Sequence, residues 1–379
     1  MAEVFLLAAG RFAIAAQVGT AAVSAQNSFG DHNESIQQAA KTVYIRPLPS
    51  PVGFLWSEGE MRDLGNAWLT SINNQGQVVG AKPPEILKCS ATIYSAGRFN
   101  ALLKNTSAMS LAKCINDCGQ VVGQLQSAPR QTPAETRRGC FAWENGKRRY
   151  LDSPEGYTAG DAVGINNQGQ IVGEVWEIGT SHHHAFLNAH HAALWDDTFI
   201  TVFDEPSGFT ESSAVAINNQ GQILIRTFQS AFKRVFEDLD EREKEGDWSN
   251  KADTQELLDL YQKRIDALPK NASAFCQQSF LWDNGEMQPI DGLATALNDQ
   301  GQVVGWSGSD LSAEAIAKGV EAGHAFLWQN GELLDLNDLL PAESGWRLTK
   351  ANGINNHGQI VGYGLHDGHT RAFLLTPIN

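Results

Sequence analysis

Five histidines lie close together in this sequence, at His182, His183, His184, His190 and His191. Imidazole is the commonest side-chain ligand of protein-bound metals, so one hypothesis is a metal site with His182, His183 and His190 as ligands. Two observations weigh against it. Neighbouring strand residues point to opposite faces, and no carboxylate accompanies these histidines at ligand spacing. We therefore predict no metal and no cofactor.

Three aromatic residues occupy equivalent places in the chain. Tyr157, Phe209 and Trp346 each follow a glycine and each lies eight residues before the isoleucine of a repeated motif. Rings at equivalent places could line a mouth for a sugar or a peptide. The alternative is that each ring covers the packing between neighbouring repeats. Trp176 and Trp306, which stand in variable connections, complete the set of candidate binding residues.

Sequence patterns of known catalytic sites are absent. The chain has no Gly-x-Ser-x-Gly elbow, no Walker A loop and no His-Glu-x-x-His motif. It also has no carboxylate-rich loop of the EF-hand type, and its repeated turns are rich in amides, which makes a calcium role unlikely for them. No residue is therefore assigned a catalytic role.

The element that recurs most faithfully is a nonapeptide. The copy at 165–173 reads INNQGQIVG, and the other five begin at Ile72, Ile115, Ile217, Leu297 and Ile354. Its asparagine side chain can close a turn on its own backbone, and its first glycine supplies a positive φ. The β-branched residues that follow favour an extended strand. Each copy therefore predicts a tight β-hairpin.

A second element alternates with the first. It is a Phe-Leu-Trp-like strand followed by a turn, and three of these turns carry Asn-Gly, at 145–146, 284–285 and 330–331. Asn-Gly is a strong hairpin signal, so one repeat contains four strands. The nonapeptides begin 43, 50, 52, 80 and 57 residues apart. Four strands at such a period predict an all-β protein, a β-propeller of six blades. Seven is the alternative, because the strand at 371–375 is one too many.

The alternation of the nonapeptide with His-Ala-Phe-Leu-Trp resembles the HAF-repeat proteins, a bacterial family described as extracellular. His184-Ala185-Phe186 and His324-Ala325-Phe326 carry the triplet that gives this family its name. The resemblance covers roughly residues 50–379. It implies a secreted repeat protein, and it carries over no catalytic residues.

The sequence divides into three regions. Residues 1–40 do not share the repeat and are read as a signal peptide or as a helix covering part of the array. Residues 41–379 form the array. Within the array, residues 231–270 are highly charged and carry apolar residues at helical spacing, which predicts two helices, about 232–245 and 253–268. This insertion is either a solvated decoration or a docking arm for a protein partner.

The charge and the cysteine content limit the possible partners and the possible cellular compartment. The 28 basic and 43 acidic residues give a net charge of -15, which argues against a nucleic acid as the main partner. No apolar run is long enough for a membrane span. Five cysteines leave at least one unpaired within a monomer and do not decide the compartment. We expect a secreted or periplasmic protein, or a cytoplasmic one if residues 1–40 are not a signal.

Two functions of different classes remain open. The first is a non-catalytic module that binds a protein or a glycan, because the variable connections gather on one face of a constant scaffold. The second is a propeller hydrolase or lyase that acts on a carbohydrate or a small ester at the central mouth. An enzyme would need titratable groups from several repeats near one point. The repeated strands contribute mostly glycine, valine, phenylalanine and tryptophan, which favours the binding module.

Overall fold

In the part of the chain that the structure describes, the regular structure consists almost entirely of β-strands joined by short turns. A computed structural model describes residues 4–5, 52–57, 60–82, 89–103, 109–126, 138–177, 189–197, 199–230, 275–308, 323–341 and 343–377. Within these ranges the one helix is a short 3-10 segment, Leu336–Leu339. The predicted all-β class is therefore confirmed. The predicted helices of the insertion lie outside the described residues.

The chain divides into two compact units, Met1–Tyr150 and Leu151–Asn379. The first unit holds three antiparallel sheets. The first sheet contains β1 (Val4–Phe5), β2 (Val52–Ser57) and β3 (Glu60–Asn66); the second contains β4 (Trp68–Ile72), β5 (Val78–Lys82), β6 (Ser90–Ser95) and β7 (Arg98–Ala101); the third contains β8 (Met109–Ile115), β9 (Val121–Gln126), β10 (Arg138–Glu144) and β11 (Lys147–Tyr150).

The second unit holds four antiparallel sheets. The fourth sheet contains β12 (Tyr157–Ile165), β13 (Ile171–Glu177), β14 (His190–Trp195) and β15 (Ile200–Val202); the fifth contains β16 (Glu211–Ile217), β17 (Ile223–Ser230), β18 (Phe275–Asp283) and β19 (Glu286–Ile290); the sixth contains β20 (Leu293–Leu297), β21 (Val303–Ser307), β22 (His324–Gln329) and β23 (Glu332–Asp335); the seventh contains β24 (Trp346–Ile354), β25 (Ile360–His366) and β26 (His369–Leu375). Four strands paired in sequence order form the unit from which β-propellers are built. The number of blades stays a prediction.

The repeated nonapeptide forms the hairpin turn that was predicted. All six of its first glycines have φ between 72° and 83°. In the fourth sheet, Asn166 Oδ1 accepts the backbone N–H groups of Gln168 and Gln170 at 3.1 and 3.0 Å. The Asn166 side chain also donates to Gln170 Oε1 at 2.8 Å. One asparagine therefore closes the turn and fixes the glutamine that leads into the next strand.

The same asparagines link neighbouring sheets, which the sequence did not predict. Asn166 Nδ2 donates to the carbonyl of Asn218 in the next sheet at 3.2 Å, and Asn218 Nδ2 donates to that of Asn298 at 2.9 Å. Asn298 continues the series to the carbonyl of Asn355 at 3.1 Å. The repeated turn is therefore also a connector between sheets of the second unit.

A β-bulge recurs in the first strand of every sheet that carries the nonapeptide. The register of pairing shifts two residues before the end of the strand in all six cases. In the sixth sheet the bulged residue is Thr295, whose hydroxyl lies 2.7 Å from the Ala351 carbonyl of the seventh sheet. Bulges sharpen the local twist of a strand. This feature was not predicted either.

Apolar side chains fill the spaces between neighbouring sheets. Between the fourth and fifth sheets the buried cluster includes Val172, Leu194, Phe203, Ile223 and Ile225. Removing such surface from water is the main favourable contribution to folding. Because apolar side chains occupy these spaces, polar side chains can gather at the ends of the strands, where the variable connections start.

The long insertion connects the second and third strands of the fifth sheet. β17 and β18 stay paired up to Ser230 and Phe275, so the two ends of the insertion are adjacent. Among the residues that the structure describes, no helix has the length and apolar character needed to cross a membrane.

Candidate functional site

Three strand ends of the fourth sheet meet at one edge of that sheet. Tyr157 is the first residue of β12, Glu177 is the last residue of β13, and His191 is the second residue of β14. Because the strands are antiparallel, the second-to-third connection and the linker to the next sheet leave from this edge. We call it the loop edge of the fourth sheet. It belongs to the face on which the variable connections were predicted.

His191 is buried at this edge between two carboxylates. Its Nδ1 lies 2.8 Å from Glu205 Oε1 and its Nε2 lies 3.1 Å from Glu177 Oε1. The His191 side chain is 11% exposed, that of Glu205 is 14% exposed and that of Glu177 is 47% exposed. Ionised carboxylates only accept hydrogen bonds, so this geometry fits a ring that donates from both nitrogens, which is an imidazolium. We call these three side chains and Ser212 the His191 cluster.

Hydrogen bonding outweighs burial in setting the charges of this cluster. The hydrogen bond to Glu205 is the largest cause that raises the pKa of His191 above its ordinary value of 6.5; burial opposes it and Glu177 adds to it. Burial by itself would raise the pKa of Glu205, but the hydrogen bonds from His191 and Ser212 outweigh it and hold this pKa below its ordinary value. The cluster therefore favours a positive ring between negative carboxylates.

Ser212 ties the cluster to the fifth sheet. Its hydroxyl donates to Glu205 Oε1 at 2.8 Å, and its oxygen accepts the backbone N–H of Ala192 at 2.8 Å. Glu205 itself lies in the linker between β15 and β16. The imidazolium therefore holds together the end of one strand, the linker and the first strand of the next sheet.

Aromatic rings flank His191 and its neighbour on opposite faces of the sheet. Tyr157 packs edge-on against His191, with ring centroids 5.6 Å apart. Trp176 stacks on His190 at 5.3 Å and donates from Nε1 to Glu174 Oε1 at 2.9 Å. Adjacent strand residues alternate between faces, which places the two ring pairs on different sides of the same edge. Both pairs border the loop edge.

The model of one protein family, described as "Protein of unknown function (DUF3466)", matches residues 152–372, more than half of the chain. The chain belongs to this family. The matched range includes the whole His191 cluster. A comparison of the chain with curated proteins found no match.

Solved structures with some similarity to the DUF3466 chain include three peptidase structures. They are the β-propeller domain of the Trilobed protease from Pyrococcus furiosus (10% identity, TM-score 0.44, 82% of each chain covered), the Pyrococcus horikoshii acylaminoacyl peptidase (12%, 0.45, 85% of this chain and 48% of that one) and a Mycobacterium tuberculosis puromycin-hydrolyzing peptidase (11%, 0.46, 86% and 47%). The chain spans about half the length of the last two. At these identities and TM-scores the likenesses assign no activity to it.

The structure brings two of the five predicted aromatic residues together. Tyr157 and Trp176 both border the loop edge of the fourth sheet, whereas Trp306 and Trp346 lie in the sixth and seventh sheets and Phe209 lies in the linker between β15 and β16. Phe209 packs edge-on against Phe280 at 6.1 Å, and Trp346 stacks on His366 at 4.6 Å.

Trp306, the remaining predicted residue, lies 5.9 Å from the Lys350 ammonium, measured to its ring centroid. The ring contacts of the three residues at equivalent repeat positions are with other side chains: Tyr157 packs on His191, Phe209 on Phe280 and Trp346 on His366. The mouth predicted from Tyr157, Phe209 and Trp346 as a set stays a prediction.

The histidine hypothesis needs two corrections. Carboxylates do accompany the histidines, because Glu177 and Glu205 reach His191 from fourteen residues before and after it. The strand register also places His191 at the repeat position of His324: Gly173 pairs with Ala193, Gly305 pairs with Phe326, and each histidine lies two residues earlier. The sequence interpretation gave this repeat position to His184. His182, His183 and His184 lie outside the described residues.

The hydrogen bonds of the His191 cluster exclude some of the reactions that a histidine, a serine and two carboxylates could otherwise catalyse. Both nitrogens of His191 already donate hydrogen bonds, so the ring has no lone pair with which to accept a proton from a substrate. The Ser212 hydroxyl donates its hydrogen bond to Glu205 and not to His191. In a Ser-His-Asp triad the serine is activated by a hydrogen bond to the histidine, so Ser212 is not activated in this way. No group of three or more metal-binding side chains with metal-site geometry occurs in the described parts of the chain.

Proposed function

We propose that the chain is a non-catalytic β-propeller module that binds a glycan at the loop edge of the fourth sheet. The observation that carries this proposal is the position of Glu177. Its carboxylate is half exposed, one oxygen is held by His191, and Glu177 is the cross-strand neighbour of Tyr157. A fixed acceptor next to an aromatic ring suits a sugar, which offers hydroxyl donors and an apolar face.

The hydrogen-bonding inventory of the edge favours hydroxyl groups. Glu177 accepts hydrogen bonds, while the phenol of Tyr157 can both donate and accept. A sugar hydroxyl uses both functions, whereas the ammonium group of a basic peptide only donates. This inventory favours a glycan over a lysine-rich protein segment, the form of protein ligand that an acidic edge would otherwise attract.

The enzyme alternative, a hydrolase or lyase, lacks an observation in its favour. Among the described residues of the loop edge, both nitrogens of His191 face carboxylates and the hydroxyl of Ser212 donates to Glu205. Glu177 could act as an acceptor in binding without taking part in a reaction. We therefore keep binding as the function that the geometry supports.

The proposal includes the two expectations that come from the sequence resemblance. The equivalence of His191 and His324 supports assignment to the HAF-repeat proteins, because both stand four residues before a tryptophan in the last two residues of the strand. Export through residues 1–40 remains part of the proposal. N-terminal sequencing of protein recovered from a periplasmic fraction tests it, and an uncleaved cytoplasmic chain would contradict it.

A glycan array tests the proposed function, followed by titration with maltotetraose, cellotetraose and chitotetraose. We expect at least one glycan to bind the wild type. Glu177→Gln should weaken this binding about tenfold, because the carboxylate loses the charge that strengthens its hydrogen bonds. Glu332→Gln, a change at an exposed site on β23, serves as the matched control and should bind as the wild type does.

Two results would contradict the proposal. One is an array with no bound glycan while the protein is folded. The other is a bound glycan that Glu177→Gln and Glu332→Gln affect equally, because this would place the site elsewhere. Release of shortened oligosaccharides during the titration would favour the enzyme alternative.

A further inference from the structure

His191 is the only described histidine at this edge whose two ring nitrogens both contact carboxylates within hydrogen-bond distance. Only the protonated ring has two N–H groups; the neutral ring has one N–H group and one lone pair. If His191 loses its proton, a lone pair faces a carboxylate and one of the two hydrogen bonds must break. Proton loss therefore changes the geometry of the cluster as well as its charge.

The surroundings decide which carboxylate is released. Glu205 is 14% exposed and also accepts the hydroxyl of Ser212, whereas Glu177 is 47% exposed. The contact to Glu205 is also shorter, 2.8 Å against 3.1 Å. Water can solvate Glu177 at little cost when it turns outward, but it reaches Glu205 poorly. Neutral His191 should keep Glu205 and release Glu177.

The other side chains near His191 do not respond to its proton in the way that Glu177 and Glu205 do. Tyr157 meets the ring edge-on and Ser212 acts through Glu205. On the opposite face, His190 lies 3.8 Å from Glu174, beyond hydrogen-bond distance. Among the described groups, Glu177 and Glu205 are therefore the two charges that respond directly to the His191 proton.

We propose that His191 is a positioning residue that holds Glu177 in place for the ligand only while the ring is protonated, so that ligand affinity falls as pH rises. This inference rests on the proposed function. It assigns no ligand contact to His191 itself. The raised pKa of His191 supports it, because the ring then keeps its proton, and with it the contact to Glu177, up to a higher pH than an ordinary histidine would.

The sixth sheet offers a matched control at the same repeat position. His324 contacts one carboxylate, Asp335, at 2.5 Å, and its side chain is 47% exposed. A neutral ring has one N–H group, which is enough to keep this single hydrogen bond. Loss of the His324 proton therefore breaks no contact, and His324→Gln should leave the loop edge of the fourth sheet unchanged.

The first experiment uses the full chain without any ligand. Glutamate is labelled with 13C at the carboxyl carbon, the Glu177 signal is assigned from Glu177→Gln, and the pH is raised from 6 to 10. We expect the Glu177 signal to shift in the same step in which His191 loses its proton. This step should disappear in His191→Gln and persist in His324→Gln. A Glu177 signal that does not follow His191 would overturn the inference.

The second experiment measures affinity for whichever of maltotetraose, cellotetraose and chitotetraose binds the wild type. Affinity should fall about tenfold across the same pH step in the wild type and in His324→Gln, as expected for losing a charge-assisted contact. It should be weaker and independent of pH in His191→Gln. A wild-type affinity that stays constant through the step would overturn the inference.

The two experiments separate this inference from the proposed function. If no oligosaccharide binds at any pH, the proposed function fails, while the ligand-free carboxyl titration still decides whether His191 holds Glu177. If binding occurs but Glu177 does not respond to His191, the function stands and the positioning role fails.

Discussion

The fourth and sixth sheets place a histidine at the same repeat position and surround it differently. His191 is buried and contacts two carboxylates, whereas His324 is half exposed and contacts one. Both sheets share the hairpin turn, the bulge and the pairing register. The difference comes from Glu177 and Glu205, which lie outside the repeated motif. The repeat therefore supplies the position of the histidine, and the irregular connections decide its chemistry.

The partner of His324 shows a second use of the same position. Asp335 also accepts the backbone N–H of Asn337 at 2.9 Å and so caps the 3-10 helix that follows β23. Burial opposes a low pKa for Asp335, but the hydrogen bonds from His324 and Asn337 outweigh it and lower this pKa. In the sixth sheet the carboxylate thus belongs to a local cap, whereas in the fourth sheet Glu205 links two sheets.

The largest expected effect follows removal of the buried carboxylate. Glu205→Ala should lower the free energy of unfolding by about 2–4 kcal/mol, because it leaves the buried ring and Ser212 without their acceptor. The matched change, Asp335→Asn, keeps a capping acceptor at a more exposed pair and should cost about 1 kcal/mol or less. Chemical denaturation of both variants at pH 7 checks the difference. Equal losses would break the comparison between the two sheets.

An intermediate effect should be the same in both sheets, because the hairpin turn is shared. Gly169 and Gly301 have φ of 83° and 73°. Gly169→Val and Gly301→Val should each cost about 1–3 kcal/mol through backbone strain. Thermal and urea unfolding measure both. A cost in one sheet without the other would show that the turns are not equivalent.

The smallest effect depends on pH and isolates the charge of His191. A raised folded-state pKa means that the stabilisation from protonated His191 is complete below the unfolded value near 6.5 and is lost as pH rises through the folded value. His191→Gln should therefore be less stable than the wild type by about 1–2 kcal/mol at pH 6, with a smaller difference at pH 9.

The control for this prediction is His324→Gln, measured at the same two pH values. We expect it to differ from the wild type by less than about 0.5 kcal/mol at either pH, as is usual for exposed sites. A stability difference for His191→Gln that grows with pH would have the wrong sign and would contradict the assigned protonation state.

Most of the fold could be predicted from the sequence because its signals are local. The turn needs one asparagine and one glycine at fixed spacing, and all six copies carry them. Both residues act on their own backbone, so no distant contact is needed to recognise the hairpin. The bulge of the first strand has no such signature: its position is occupied by Thr70, Lys113, Val163, Val215, Thr295 and Asn352, which share no chemical property.

The candidate site was predicted only in part because its contacts are not local. Tyr157 and Trp176 were recognised as candidate binding residues, but Glu177 and Glu205 each lie fourteen residues from His191. One signal was available. His191 stands four residues before Trp195, as His324 stands four residues before Trp328. Aligning the repeats on tryptophan instead of on the His-Ala-Phe triplet would have identified His191.

The measurement that tests the central claim most directly is a 15N titration of the His191 imidazole in the wild-type chain, with assignment from His191→Gln. We expect the midpoint to lie above 6.5, with both ring nitrogens giving the signals of protonated nitrogen below it. Glu177→Gln should lower this midpoint, because one negative partner is removed. A wild-type midpoint at or below 6.5 would contradict the account.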